Sequence, residues 1–155
     1  MNETDLNQRL AALGITLPVA AAPVANYVAA VVTGNLLVVS GQLPLVEGRL
    51  SATGKLGGGI SIEQGALAAR ACAINLLAQI KGALGSLDRV SRVVRLGGFI
   101  ACTADFTQHA TVMNGASDLI AAIFGETGRH ARSTIGVPSL PLDAPVEVEG
   151  LFEIT

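Results

Sequence analysis

The 155 residues are half apolar, only 14% charged and poor in aromatics, with a net charge of −2. That length sets a single domain whose core is large enough to fold alone, and the apolar excess is in keeping with a buried subunit interface. No basic block interrupts the acidic balance, which excludes a surface that tracks nucleic-acid phosphates.

The first ten residues, MNETDLNQRL, are polar and acidic rather than the basic-then-apolar run of a secretory leader, so the expected compartment is the cytoplasm. Cys72 and Cys102 are then read as free thiols in a reducing environment. Thr4 caps a short predicted helix, Asp5 to Leu13, which Gly14 stops. This gives an N-terminal helical extension over 1–14, followed by one domain over 15–155. The apolar run 15–32 is broken by Pro18, Pro23 and Asn26, so it is not a membrane span.

Tyr27, the single tyrosine, opens a predicted β-hairpin. Val28 to Thr33 and Leu36 to Ser40 are the strands, and Gly34-Asn35 supplies the positive φ of the turn. Ser40-Gly41-Gln42 ends the second strand. Gly41, without a Cβ, can bring its backbone close to a ligand. Pro44 to Gly59 reads as a glycine-rich loop. Its Lys55-Leu56-Gly57-Gly58-Gly59 lacks the order of a phosphate loop.

Ser61 and Gln64 have the spacing of a capping box, opening a helix that runs to Leu84 and ends at Gly85. Val90 to Ala101 is a strand, with Arg89, Arg92 and Arg95 as solvated or interface charges. Asp105 to Gln108 opens a second long helix that Gly125 ends. It carries Asn114, on its residues alone a surface polar. His109 and His130 share no metal-ligand spacing, so no metal is expected. No Cys/His pair suggests a thiol nucleophile.

Residues 128–149, GRHARSTIGVPSLPLDAPVEVE, carry the most chemistry. They read as strand, proline-rich turn, strand, with Arg132 on the first strand and Glu147 and Glu149 on one face of the second. The two strands are expected to pair, bringing guanidinium and carboxylate together. Arg132 can grip a carboxylate through two parallel hydrogen bonds, or it can simply bridge to Glu147 or Glu149. The element order predicts an α+β fold, a mixed sheet with two long helices packed on one face.

Three blocks resemble the RidA/YjgF reactive-intermediate deaminases, in older naming the endoribonuclease L-PSP family. They are Ala131-Arg132 through Leu140-Pro141 and Val146-Glu147; Gly34 to Pro44 preceded by Tyr27; and the helix Asn114 to Phe124. The resemblance covers about residues 20 to 155. It implies a chorismate-mutase-like subunit that forms a homotrimer with pockets between neighbours. It also implies hydrolysis of 2-imino or enamino acids to 2-keto acids and ammonia, without a cofactor. Arg132 would hold the substrate carboxylate and Glu147 would serve the water. Tyr27, Ser40, Gly41, Asn114 and Thr134 would line the site. The implied partner is a small carboxylate metabolite, with no nucleic acid and no membrane. His130 departs from the family pattern, as do the 44–59 loop and the N-terminal helix. A trimer that binds carboxylates without turning them over is the alternative.

Overall fold

The structure, a computed structural model, describes residues 2–23 and 25–155. Helix α1 spans Glu3–Ala12, and its first turn is capped by Asn2 rather than the expected Thr4. The Asn2 side chain accepts from the Asp5 amide at 2.9 Å. An asparagine side chain caps at least as well as a threonine, so the helix starts two residues earlier than read. Leu6 and Leu10 are buried against the body, and Arg9 donates to the Ala122 and Ile123 carbonyls of a later helix.

Strands β1 (Ala30–Thr33) and β2 (Leu36–Gln42) form the expected hairpin, but Gly34 alone takes positive φ. The segment after Pro44 is more ordered than a loop. It folds a small hairpin, β3 (Leu45–Val46) with β4 (Arg49–Leu50), and Leu56 is fully buried. Glu47 and Gly48 make its turn with positive φ, a signal easily missed when glycine is scattered through a segment.

Helix α2 (Ile62–Leu84) has both halves of the capping box. The Ser61 hydroxyl accepts from the Gln64 amide at 3.1 Å, and the Gln64 side chain accepts from the Ser61 amide at 2.9 Å. Gly85, at φ +84°, ends the helix where a Cβ would be strained. Although α2 is long and apolar enough to cross a membrane, its face of Ala69, Cys72, Ala73, Leu76, Leu77 and Ile80 is buried in the core. Strand β5 (Val90–Ala101) follows. Helix α3 (His109–Phe124) starts later than its polar lead-in suggested. Strands β6 (Ala131–Val137) and β7 (Val146–Ile154) complete the chain.

The sheet order is β1-β2-β7-β5-β6, with β6 parallel to β5 and the other pairs antiparallel. Both long helices lie on one face, as the element order predicted. On β7 the burial alternates strictly, Val146, Val148, Phe152 and Ile154 facing the helices and Glu147, Glu149, Leu151 and Glu153 facing away. Each large apolar side chain buried this way contributes about 1.5–3 kcal/mol. The helices approach closely at Gly115, where any side chain would collide with the Ala66 carbonyl. Among the described residues no element covers the opposite sheet face. That face exposes Val31, Val38 and Ile135 beside the partly buried Phe99 and Leu151.

The expected pairing of the last two strands does not form. β5 lies between β6 and β7 and bonds to both. A parallel neighbour for β6 satisfies the same backbone groups, and the proline-containing connection 138–145 is long enough to step over one strand.

Candidate functional site

Arg132 pairs with Leu96 on β5, which pairs with Gly150 on β7; Glu147 pairs with Phe99. Two strand spacings of about 4.8 Å and three residues of about 3.3 Å put the two Cα atoms on the order of 14 Å apart. Their side chains also leave by opposite faces. Arg132 shares the helix face with buried Leu96, and Glu147 shares the open face with Phe99. Within one chain, then, the guanidinium and the carboxylate do not meet. The cross-strand bridge from Arg132 to Glu147 or Glu149 is also absent. Glu149 instead pairs with Arg95 at 3.5 Å, an exposed contact worth little.

Each residue anchors its own cluster. On the open face, Glu147 lies directly over Gly41, where a Cβ would run into the carboxylate. Gly41 sits at a register break in β2 between Val39 and Gln42, where β2 has one residue more than the facing stretch of β7. The break is pinned from behind. Gln79 donates to the Gln42 side chain at 3.4 Å and to the Ala21 carbonyl at 2.7 Å. Asn75 donates to the Leu43 and Leu45 carbonyls at 3.0 Å. Ser40 donates its hydroxyl to the Val28 carbonyl at 3.0 Å, holding the segment that carries the half-exposed Tyr27. Glu147 and Gly41 are thus in contact, with Ser40 next along β2 and Tyr27 on the segment that Ser40 ties down.

Burial pushes the Glu147 carboxyl above its usual range, and the Glu149 charge adds to the shift. Among the described residues Glu147 has no ion-pair partner. A partly desolvated carboxylate without a cation is suited to accept a proton.

The second cluster lies where β6 meets α3. Arg132 donates to Ser117 Oγ at 3.0 Å and to the Ala110 carbonyl at 3.2 Å. Ser117 Oγ is 2.9 Å from His130 Nε2, and His130 Nδ1 is 2.6 Å from the Gly128 carbonyl. The carbonyl only accepts, so Nδ1 carries a proton. With the ring neutral, Nε2 accepts from the Ser117 hydroxyl, which in turn accepts from Arg132. These bonds take one donor from each terminal nitrogen and leave the others without a partner among the described residues. Asn114, exposed on α3, lines the same shallow cavity of about 300 Å³ with Ser117, His130 and Arg132. Thr134, two residues on and on the same face, has a buried hydroxyl with no partner among the described residues. Sequence reasoning missed Ser117. Its only trace was the three-residue spacing from Asn114 on one helix face.

Structurally, this is a chorismate-mutase-like α+β subunit with two separated polar clusters, one acidic and one carrying an arginine. Residues 7–153 match the family described as "YjgF/chorismate_mutase-like, putative endoribonuclease", and the chain belongs to that family. It is 51% identical over 143 residues to Protein TCP17 of Trypanosoma cruzi, spanning 92% of this chain and 89% of that protein. The crystal structure of Atu1372 from Agrobacterium tumefaciens, described there as of unknown function, has a TM-score of 0.93. It is 46% identical, covering 99% of this chain and 94% of its own. RidA from the Antarctic bacterium Psychrobacter sp. has a TM-score of 0.61 at 27% identity, covering 87% of this chain and 94% of its own.

Proposed function

We propose that this protein hydrolyses reactive 2-imino and enamino acids to 2-keto acids and ammonia, in pockets assembled between copies of the chain in a homotrimer. The observation that carries the reading is Glu147. It is a partly buried carboxylate with a raised proton affinity and no cation, laid against the bare backbone of Gly41. Such a group can hold a water and take its proton. An iminium carbon is already electrophilic, so orientation, a water and a proton acceptor suffice.

Arg132 supplies the orientation. Its free donors would grip the substrate carboxylate as a fork, and the Thr134 hydroxyl and backbone lie beside that position. Asn114 borders the same cavity. Tyr27 and Ser40 belong to the Glu147 corner, where Tyr27 would close the pocket. Because Arg132 and Glu147 lie on opposite faces of one sheet, a complete site needs Arg132 of one copy and Glu147 of another. The uncovered apolar sheet face supports that association, since a second copy can bury it. The alternative is a trimer that binds small carboxylates without turnover. The family description also names RNA cleavage, but neither cluster offers the cationic stripe that a phosphate backbone requires. No cofactor is needed for the reaction, which would run in the cytoplasm.

Complementation is the test. Arg132→Ala and Glu147→Gln are each expected to lose ammonia release from an imine generated by an amino-acid oxidase. Co-refolded, the two inactive variants should regain about a quarter of the parent activity, because random assortment gives that share of pockets an intact pair. No recovery in mixed trimers would overturn the shared pocket. A parent that binds 2-ketobutyrate yet adds nothing to spontaneous hydrolysis would select the non-catalytic binder. RNA cleavage by the same preparation would displace both.

A further inference from the structure

A second cluster of reactive side chains lies at the far end of β6, away from Arg132. Cys102 follows β5 and His109 begins α3. The sequence separates them by seven residues with no recognisable signature, but the fold brings Cys102 Sγ to 3.5 Å from His109 Nε2. The expectation that no Cys/His pair suggests a thiol nucleophile is revised by this contact. The pair forms because a loop, 103–108, reverses the chain between strand and helix. Gly136 on β6 makes room, since a Cβ there would stand 2.7 Å from Sγ and 2.6 Å from Nε2. Phe106 packs edge-on against the imidazole, with ring centres 5.2 Å apart, and fixes its plane.

The pair lines a cavity of about 700 Å³ with Lys55, Phe106, Val137 and Pro138. Cys102 and His109 are both partly exposed, so the cavity reaches them from solvent. Two features favour a negative ligand. Lys55 contributes a cation to the wall, and Leu56 beside it bonds to the backbone of Ala101 and Thr103, which holds the segment in place. The first turn of α3 also opens here without a side-chain cap at Gln108, leaving amide donors free. Asp105, on the connecting loop, does not line the cavity. The remaining wall is apolar and suits a short carbon chain.

We propose that Cys102 and His109 form a thiol-based site that captures small electrophilic carboxylates by covalent addition at Sγ. With an α,β-unsaturated carboxylate, the Sγ proton passes to His109 Nε2 and Sγ bonds to the β-carbon. The π pair of the double bond moves to the α-carbon, and His109 returns the proton there. The thiol adds across the double bond with no oxidant or reductant. Nothing in this step draws on Arg132 or Glu147, so it stands apart from imine hydrolysis.

Cys72 provides an internal control. It is fully buried, its thiol donates to the Val146 carbonyl at 3.5 Å, and burial with the nearby Glu147 charge pushes its ionisation up. The intact protein is treated with iodoacetate and, separately, with iodoacetamide, and the modified cysteines are mapped by mass spectrometry. Cys102 should be alkylated while Cys72 is spared. Relative to N-acetylcysteine, Cys102 should favour iodoacetate over iodoacetamide by about threefold or more, and Lys55→Ala should abolish that preference. His109→Gln should slow both reagents roughly tenfold or more. Protection of Cys72 reports whether each variant is folded. If Cys102 reacts at the free-thiol rate and His109→Gln with protected Cys72 leaves that rate unchanged, the site is an ordinary surface cysteine. Should His109→Gln expose Cys72, exposed Lys55→Ala decides. An anion preference that survives it overturns the proposal.

Discussion

The Glu147 corner and the Arg132 edge use opposite means to hold a charged group ready. Glu147 is held by exclusion. It lies on a bare glycine, short of water, with a like charge next along the strand face, and its proton affinity rises as a result. Arg132 is held by attachment, its guanidinium tied to α3 through Ser117 and the Ala110 carbonyl. A base gains from partial desolvation, which brings its ionisation toward working pH. A clamp gains from fixed geometry with donors to spare. On the proposed reading these two clusters, on opposite sheet faces, are the two halves of one site shared between copies.

Arg132→Ala offers the widest separation of the halves. Losing a charged, bidentate grip costs roughly 2–4 kcal/mol, so calorimetry should show 2-ketobutyrate binding weakened about 30- to 1000-fold. Arg132→Lys should recover little, because an ammonium cannot reproduce the fork. Parent-like binding and turnover in Arg132→Ala would remove the clamp from the comparison. Glu147→Gln should act on the other half alone. Binding should persist while imine hydrolysis drops about 100-fold or more, the usual range for a lost general base.

Glu147→Gln should also change stability in a pH-dependent way. The folded carboxyl ionises above the ordinary glutamate range. Folding is therefore least hampered by this group below that range, and the cost of its buried charge enters as pH rises through the raised value. The Gln variant should thus melt higher than the parent at neutral pH and level with it in acid. An equal difference at both pH values would argue against a strained carboxylate.

Smaller effects are expected from the supports. Ser117→Ala removes one hydrogen bond from Arg132 and breaks the link to His130. A loss of about 0.5–1.5 kcal/mol implies a few-fold to tenfold weaker keto-acid binding. Unchanged binding would mean that Ala110 alone orients the arginine. Arg95→Met should matter least. Its pair with Glu149 is exposed, and thermal melting should move by less than about 1 kcal/mol in stability.

Much of the fold was legible because it rests on local rules. The capping box at Ser61, the glycine stops at Gly85 and Gly125, the strand Val90–Ala101 and the period-two burial of β7 all follow from a few neighbouring residues. Arg132, Glu147 and Gly41 were visible as residue types capable of the chemistry. Strand adjacency was not visible, because β6 could satisfy its backbone against either β5 or β7 and no local pattern distinguishes them. That choice placed Arg132 and Glu147 on opposite faces, with the carboxylate over Gly41. The packing of α3 beside β6 brought Ser117 to the arginine, and the reversal at 103–108 brought His109 to Cys102. The sequence by itself determined which groups this protein owns and which of them share a face along any one strand. Only the tertiary structure decided which of them meet, because backbone hydrogen bonding constrains the number of partners a strand has and leaves their identity to long-range packing.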